Sequence, residues 1–279
     1  MLGGGSNSGE RVARRYADLV LVLAIDTSTP AVTAGVCSLE PAGAGDGAGG
    51  PGGSGGEGSG SGTGPRIETL ATRVTEDARA HAELLTPHIL ECLESASITA
   101  AELDAVVVGV GPGPFTGLRV GMATAAAFAD AIGAAVHGVC SLDGLAARAR
   151  SAGVDGDVVV VTDARRREAY HARYDGEGVR TSGPIVGPAA EIEVGGAAVV
   201  GDAARLAEIP GVASATDVVG VAGVAELTSP DPAGLVAVAA ADLLAGAEPA
   251  PLEPLYLRRP DAVPPKRVEP SRALRGVQR

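Results

Sequence analysis

Residues 108–121 read VGVGPGPFTGLRVG, the stretch of this chain that says most about its fold. The apolar run over 105–110 predicts a parallel strand buried on both faces, and the residues after the prolines predict a helix. Gly111 and Gly113 permit backbone angles that other residues avoid. Thr116 stands where an N-cap hydroxyl belongs, and a helix N-terminus attracts anions. Two interpretations stay open: an anion-binding loop, or a tight strand–helix turn without a ligand.

An earlier segment, LAIDTSTP at residues 23–30, ends a buried strand in an acid followed by small hydroxyl residues. In actin-like ATPases this position reads Asp-x-Gly, where turn amides cradle phosphate and the acid orients a metal-bound water. Here the turn is Asp26, Thr27 and Ser28, so a serine replaces the glycine and phosphate contact is weakened. The alternative is a plain hairpin in which Asp26 forms an Asx-turn.

The second half of the chain contains a comparable turn, VTDARRREAY at residues 161–170. Asp163 takes the place of the acid, and Arg165 takes the place of the glycine. A Cβ and a long side chain there obstruct close approach of the backbone to phosphate. We therefore predict that the phosphate loops are vestigial and that the three arginines form a charged turn.

Hydrophobic patterning around these turns predicts the order β-β-β-α-β-α-β, and the order starts again in the second half. This repetition favours a duplicated actin/Hsp70-like α/β fold (ASKHA, ribonuclease H-like), with a mixed sheet and flanking helices in each half. We place the halves at residues 20–155 and 156–260. The last helix, 232–245, is expected to pack back on the first half.

Three segments outside these elements are predicted to be disordered. They are the N-terminal extension 1–19, a loop at 41–65 in which 13 of 25 residues are glycine, and the Pro- and Arg-rich tail 261–279. Such compositions bury too little apolar surface to offset the entropy of ordering.

Composition excludes several classes of protein. The 279 residues carry 22 basic and 34 acidic side chains, a net charge of −12, which disfavours an autonomous nucleic-acid binder. Three scattered cysteines, Cys37, Cys92 and Cys140, argue against a disulfide framework and against zinc. No membrane span or signal peptide is indicated, so we expect a cytoplasmic protein.

Five segments resemble the TsaB (YeaZ) family, in the family's order. They are AIDTSTPAVTAGV, HAELLTPHI, GPGPFTGLRVG, TDARRREAYHARY and EPLYLRRPDA, which together extend from residue 24 to residue 262. The main departures from the family pattern are Pro114 in place of serine, the glycine-rich insertion, and Arg167 in the second turn.

The resemblance implies a non-catalytic scaffold that pairs with the catalytic relative TsaD and docks the ATPase TsaE. That machinery threonylcarbamoylates adenosine 37 of tRNAs that read codons starting with A. The resemblance also implies a homodimer when the subunit is alone, no membrane contact, and tRNA contact through the complex. It implies no cofactor beyond a weak ATP or ADP contact at the TsaD interface. Arg165 and Arg166 are candidates for contact with tRNA or a partner.

The residues themselves argue against catalysis. TsaD carries a metal through a His-x-x-x-His pair, whereas here His81 is followed by Leu85, and His88 lies about 10 Å further along the helix. We therefore expect no metal site. Two alternatives remain, an actin-fold small-molecule kinase and a glycoprotease-like peptidase, although no GxSxG motif supports the latter.

The resemblance implies that two helices of the first half pack against a matching helix pair of TsaD or of a second copy, and their small residues would let another helix approach closely. The alternative is that the same residues pack on their own sheet. The candidate interface residues are His81, Leu84, Leu85, Ile89, Met122 and Ala126. Among them, Leu85, Ile89, Met122 and Ala126 are predicted to face outward.

Overall fold

The computed structural model describes residues 19–43, 64–212 and 227–258. The predicted N-terminal extension and glycine-rich loop lie largely outside these ranges, and the predicted tail lies wholly outside them. Within the ranges, no helix is both long and apolar enough to cross a membrane.

The sheet of the first half has five strands: β1 (Val20–Asp26), β2 (Ala31–Glu40), β3 (Arg66–Glu76), β4 (Ala105–Gly109) and β5 (Ala135–Val139). Their spatial order is β3-β2-β1-β4-β5. The pairs β1–β2 and β2–β3 are antiparallel, whereas β1–β4 and β4–β5 are parallel. The centre of the sheet is apolar on both faces, so β1 and β4 read as nearly continuous hydrophobic runs.

Five α-helices occur in the described ranges: α1 (His81–Ala96), α2 (Phe115–Ile132), α3 (Ser141–Ser151), α4 (Ala203–Leu206) and α5 (Pro232–Ala245). Alternate residues of β1 point to opposite faces of the first sheet. Leu23 and Ile25 pack in one core with α1 and α2, and Val22 and Ala24 pack in another with α5. The last helix of the chain therefore covers the first sheet.

The second half repeats this topology on a smaller scale. Its strands are β6 (Val158–Asp163), β7 (Glu168–Tyr174), β8 (Arg180–Pro188) and β9 (Ala198–Gly201). Their order is β8-β7-β6-β9, with β9 parallel to β6 and the other pairs antiparallel. These relations match those of the first four positions in the first sheet, and this repetition confirms the predicted duplicated α/β fold.

An extended segment at residues 252–258, here called the strap, joins the two halves. Leu252 packs against the core of the first half, Leu257 against that of the second, and Leu255 against both. The backbone N–H of Leu255 donates to the carbonyl of Val110 at 2.9 Å. The strap thus fixes the second half against the end of β4.

Candidate functional site

A cleft of about 540 Å³ opens between the halves. Its walls come from the β1–β2 turn, the start of α1, the glycine loop before α2, the β6–β7 turn and the strap. Among the residues predicted for the phosphate loops, four line the cleft: Ser28, Gly113, Thr116 and Asp163. Three are buried away from it: Asp26, Thr27 and Gly111.

The carboxylate of Asp26 points into the protein. It accepts hydrogen bonds from the backbone N–H and hydroxyl of Ser28, at 2.9 and 2.8 Å, and a short one from the hydroxyl of Ser141 at the start of α3. Burial raises the pKa of Asp26 above its ordinary value of 3.8, although the bonds from Ser141 and Ser28 oppose the shift. The Asx-turn interpretation therefore describes this hairpin, because the acid is engaged internally.

Three glycines spaced four residues apart let the first turn lie directly on α2. A Cβ on Gly113 would stand 2.2 Å from the carbonyl oxygen of Ser28. A Cβ on Gly117 or Gly121 would stand 2.4 Å from the carbonyl oxygen or the hydroxyl of Thr27, respectively. The same hydroxyl donates to the Gly117 carbonyl at 2.7 Å. The glycines therefore serve close packing, and the first turn is closed against the helix.

The predicted N-cap role of Thr116 is wrong. The helix begins at Phe115, its N-cap residue is Pro114, and no side chain caps it. Since proline lacks an N–H and fixes its own φ, the loop enters the helix two residues earlier than a Thr116 cap would allow. Thr116 is instead an exposed residue of the first helical turn.

The second turn is closed by hydrogen bonds and carries arginines in the left-handed region. Asp163 accepts the backbone N–H of Arg165 at 2.9 Å and lies 3.5 Å from the guanidinium of Arg205. Arg165, Arg166 and Arg167 have φ values of 63°, 53° and 64°, in the left-handed region that favours glycine. Like Asp26, Asp163 is thus bound to neighbouring protein groups.

The two histidines of α1 are buried and bonded to the sheet side of the helix. His81 Nε2 lies 3.0 Å from the carbonyl oxygen of Thr29, and His88 Nε2 lies 3.2 Å from the hydroxyl of Thr75. Across the described ranges, His, Cys, Asp and Glu side chains form no cluster of three or more that could hold a metal ion.

The predicted outward orientation of Leu85, Ile89 and Met122 is wrong. All three are buried in the core between the helices and the first sheet, and Leu85 is only 1% exposed. The apolar stripes of α1 and α2 are used to cover their own sheet, so hydrophobicity alone misidentified their outer faces. Leu84 is half-buried, and Ala126 is exposed as predicted.

Apart from Ala126, the outer faces are made of residues that were not predicted to lie there. On α1 they include Thr86 and Leu90, which is 58% exposed. On α2 the exposed small residues are Ala123, Ala126 and Ala127. Sequence reasoning missed Leu90, although its position five residues after the buried Leu85 puts it near the opposite side of the helix.

Sequence reasoning also missed a cluster at the cleft rim, formed by Phe115, Arg119 and Tyr256. The Arg119 guanidinium lies 4.0 Å from the centroid of the Phe115 ring, and the two aromatic rings are 5.0 Å apart. Arg119 also donates to the Tyr256 hydroxyl at 3.2 Å. The spacing of Phe115 and Arg119 was a readable signal, but Tyr256 is brought there by the strap.

Two curated proteins are similar to this chain in sequence. An uncharacterized protein of Mycobacterium tuberculosis is 48% identical over 247 residues, which are 87% of this chain and 94% of that protein. A Bacillus subtilis protein named tRNA threonylcarbamoyladenosine biosynthesis protein TsaB is 30% identical over 105 residues, which are 38% of this chain and 45% of that protein.

A family model and a solved structure add to these matches. The model described as TsaD, tRNA N6-adenosine threonylcarbamoyltransferase, matches residues 68–194. YeaZ from Pseudomonas aeruginosa has a TM-score of 0.61 and 24% identity to this chain, covering 85% of it and 100% of the YeaZ chain. At this identity the structural similarity establishes the shared fold.

Proposed function

Because this chain belongs to the TsaB (YeaZ) family, we propose that it is a non-catalytic subunit in the threonylcarbamoylation of tRNA adenosine 37. It pairs with a TsaD-type catalytic subunit and provides a surface on which a TsaE-type ATPase docks. Alone it forms a homodimer through the same helices. Any ATP or ADP contact is weak and lies at the boundary with the catalytic subunit.

The closed β1–β2 turn is the observation that supports a non-catalytic role. A kinase or transferase of this fold needs the first acid to face the cleft, where it orients a metal-bound water or substrate. Here Asp26 is turned inward onto Ser28 and Ser141, and Gly113 lies against the backbone of Ser28. The fold is retained, but the group that would perform the chemistry is occupied by internal hydrogen bonds.

The exposed faces of α1 and α2 support the pairing part. The TsaD model matches a range that includes both helices, so a TsaD-type partner carries a corresponding pair. Ala123, Ala126 and Ala127 present little side chain, which lets a partner helix approach closely, and Leu90 supplies exposed apolar area. Two such helix pairs form a four-helix contact.

Co-purification with the TsaD homologue of the same organism tests the pairing. Ala126→Glu and Leu90→Glu place an unpaired charge in a desolvated contact, which costs several kcal/mol and weakens pairing about 100-fold or more. Val179→Glu is the matched control, because Val179 is 60% exposed on the β7–β8 hairpin. Leu85→Glu is unsuitable, since a charge at that buried site unfolds the chain.

Two further measurements test the role as a whole. Deleting the gene should abolish threonylcarbamoyladenosine in tRNA hydrolysates examined by mass spectrometry, and the Ala126→Glu gene should fail to restore it. Titration of the purified chain with Mg-ATP in a calorimeter should show weak or no binding. Tight binding with turnover would instead support the kinase alternative, and normal pairing by both helix variants would refute the interface.

A further inference from the structure

The cleft rim carries an aromatic and cationic platform that the scaffold role does not use. The chain has two Phe, four Tyr and no Trp, so aromatic rings are scarce. Among the rings that the structure describes, Phe115 and Tyr256 are the exposed ones, at 42% and 40%. Arg119 stacks on the first and donates to the second. The two rings are tilted by 32° to each other and the guanidinium covers one face of Phe115, so a partly exposed aromatic and cationic cluster borders the cleft.

The cleft beside this platform is cationic, although the whole chain is acidic. Its lining includes the guanidinium-bearing residues Arg79, Arg165 and Arg258 and one carboxylate, Asp163. The guanidinium of Arg258 donates a hydrogen bond to the carbonyl of Ala164 and lies 3.3 Å from the carboxylate of Glu168. The local excess of positive charge contrasts with the net charge of −12 and favours an anionic ligand.

The conformation of the second turn points the same way. Three successive arginines occupy the left-handed region at a cost that glycine would not incur. Arg165 and Arg167 are exposed, so the packing of their side chains contributes little to the stability of the fold. Strained conformations of this kind cluster at active sites, ligand clamps and switch regions.

We propose that this rim binds an unpaired nucleotide of single-stranded RNA, with the base on the Phe115–Arg119–Tyr256 platform and the phosphate near Arg79 and Arg165. Single-stranded RNA is recognised by stacking of splayed bases on aromatic rings and guanidinium planes. A free nucleoside triphosphate fits less well, because the turn that would hold its phosphates is closed by Gly113 on Ser28. This inference rests on the proposed function, and it assigns direct RNA contact to this subunit.

Fluorescence anisotropy with a labelled RNA hairpin that has an unpaired loop tests the proposal. The full chain is measured alone and with its TsaD-type partner, against a duplex RNA of equal length and against AMP as competitor. Tyr256→Ala should weaken hairpin binding about tenfold. Arg165→Gly should weaken it and lower the slope of log Kd against log salt by about one. Arg66→Ala, which removes a cation from β3, should change neither quantity.

Arg165→Gly keeps the test independent of folding, because glycine is favoured at φ 63°. Three results would overturn the proposal. In the first, the RNA hairpin does not bind to the chain either alone or with its partner, and in the second it binds with the same affinity as the duplex. The third is an affinity for the hairpin that does not change in Tyr256→Ala and Arg165→Gly. Displacement of the hairpin by AMP at comparable concentration would also overturn it, in favour of a free nucleotide. Each variant is also co-purified with the TsaD-type partner. A variant that still pairs but does not bind RNA leaves the scaffold role intact, so failure of RNA binding can be told from failure of pairing.

Discussion

Replacing Gly113 by alanine tests whether the first turn is closed against α2. The added Cβ would meet the carbonyl oxygen of Ser28 at 2.2 Å and its C and Cα atoms at 2.8 Å. Real Cβ contacts are not shorter than 3.0 Å, so the backbones must separate by several tenths of an ångström. No side chain can rotate away, because all three atoms are main chain. We expect a loss of about 2–4 kcal/mol in the free energy of unfolding, at the upper end for overpacking.

Urea denaturation followed by far-ultraviolet circular dichroism measures this loss without needing a tryptophan. Gly176→Ala is the matched control, since nothing lies within 4 Å of a Cβ there and its φ is ordinary. The control should be neutral or gain about 0.5 kcal/mol through reduced entropy of the unfolded chain. Equal stability of the two variants would refute the close contact, and with it the argument that the phosphate turn is shut.

Three other predictions concern buried groups and the strap. Because burial raises the pKa of Asp26, the folded state holds that proton more tightly, so the contribution of Asp26 to stability should fall as pH rises above 3.8, by at most about 1.4 kcal/mol per pH unit until the folded pKa is passed. In pH-dependent urea melts the difference between the protein and its Asp26→Asn variant should show this slope, and a pH-independent difference would contradict the prediction. In the same melts, Leu255→Ala should lower the free energy of unfolding by about 2 kcal/mol, because Leu255 packs against the cores of both halves. The control Leu90→Ala, at an exposed position, should lower it by less than about 0.5 kcal/mol. Similar losses in the two variants would show that the strap does not stabilise the contact between the halves. Burial raises the pKa of Cys37 to about 12, so it should resist Ellman's reagent at pH 8 until urea unfolds the chain, and rapid native labelling would show the thiol to be accessible.

The order of strands and helices was predictable because local patterns encode it. The buried runs at β1 and β4, the glycine turn and the amphipathic helices each mark one element, and their repetition marks the duplication. The last helix was placed at the bounds the structure shows, because Asp231 caps it and glycine ends it. These signals lie within a few residues of the structures they specify.

Orientation and long-range contact were less accessible. The apolar residues of α1 serve its own sheet, so Leu85 and Ile89 were assigned to the wrong face. The inward turn of Asp26 depends on Ser141, which is 115 residues away in sequence. The rim platform likewise needs Tyr256 beside Phe115. Amino-acid composition and hydrophobic periodicity describe residues that are close together in the sequence. They do not predict contacts between residues that are more than 100 positions apart.

The position of α5 has a consequence for synthesis. The first sheet is complete once β5 ends at Val139, yet one of its faces is covered by a helix that spans residues 232–245. At about 5–20 residues per second, a ribosome delivers that helix roughly 5–20 s later. Throughout this delay the apolar side chains of Val22, Ala24 and Leu39 lack their covering helix, so the nascent chain is exposed to aggregation until synthesis reaches residue 245.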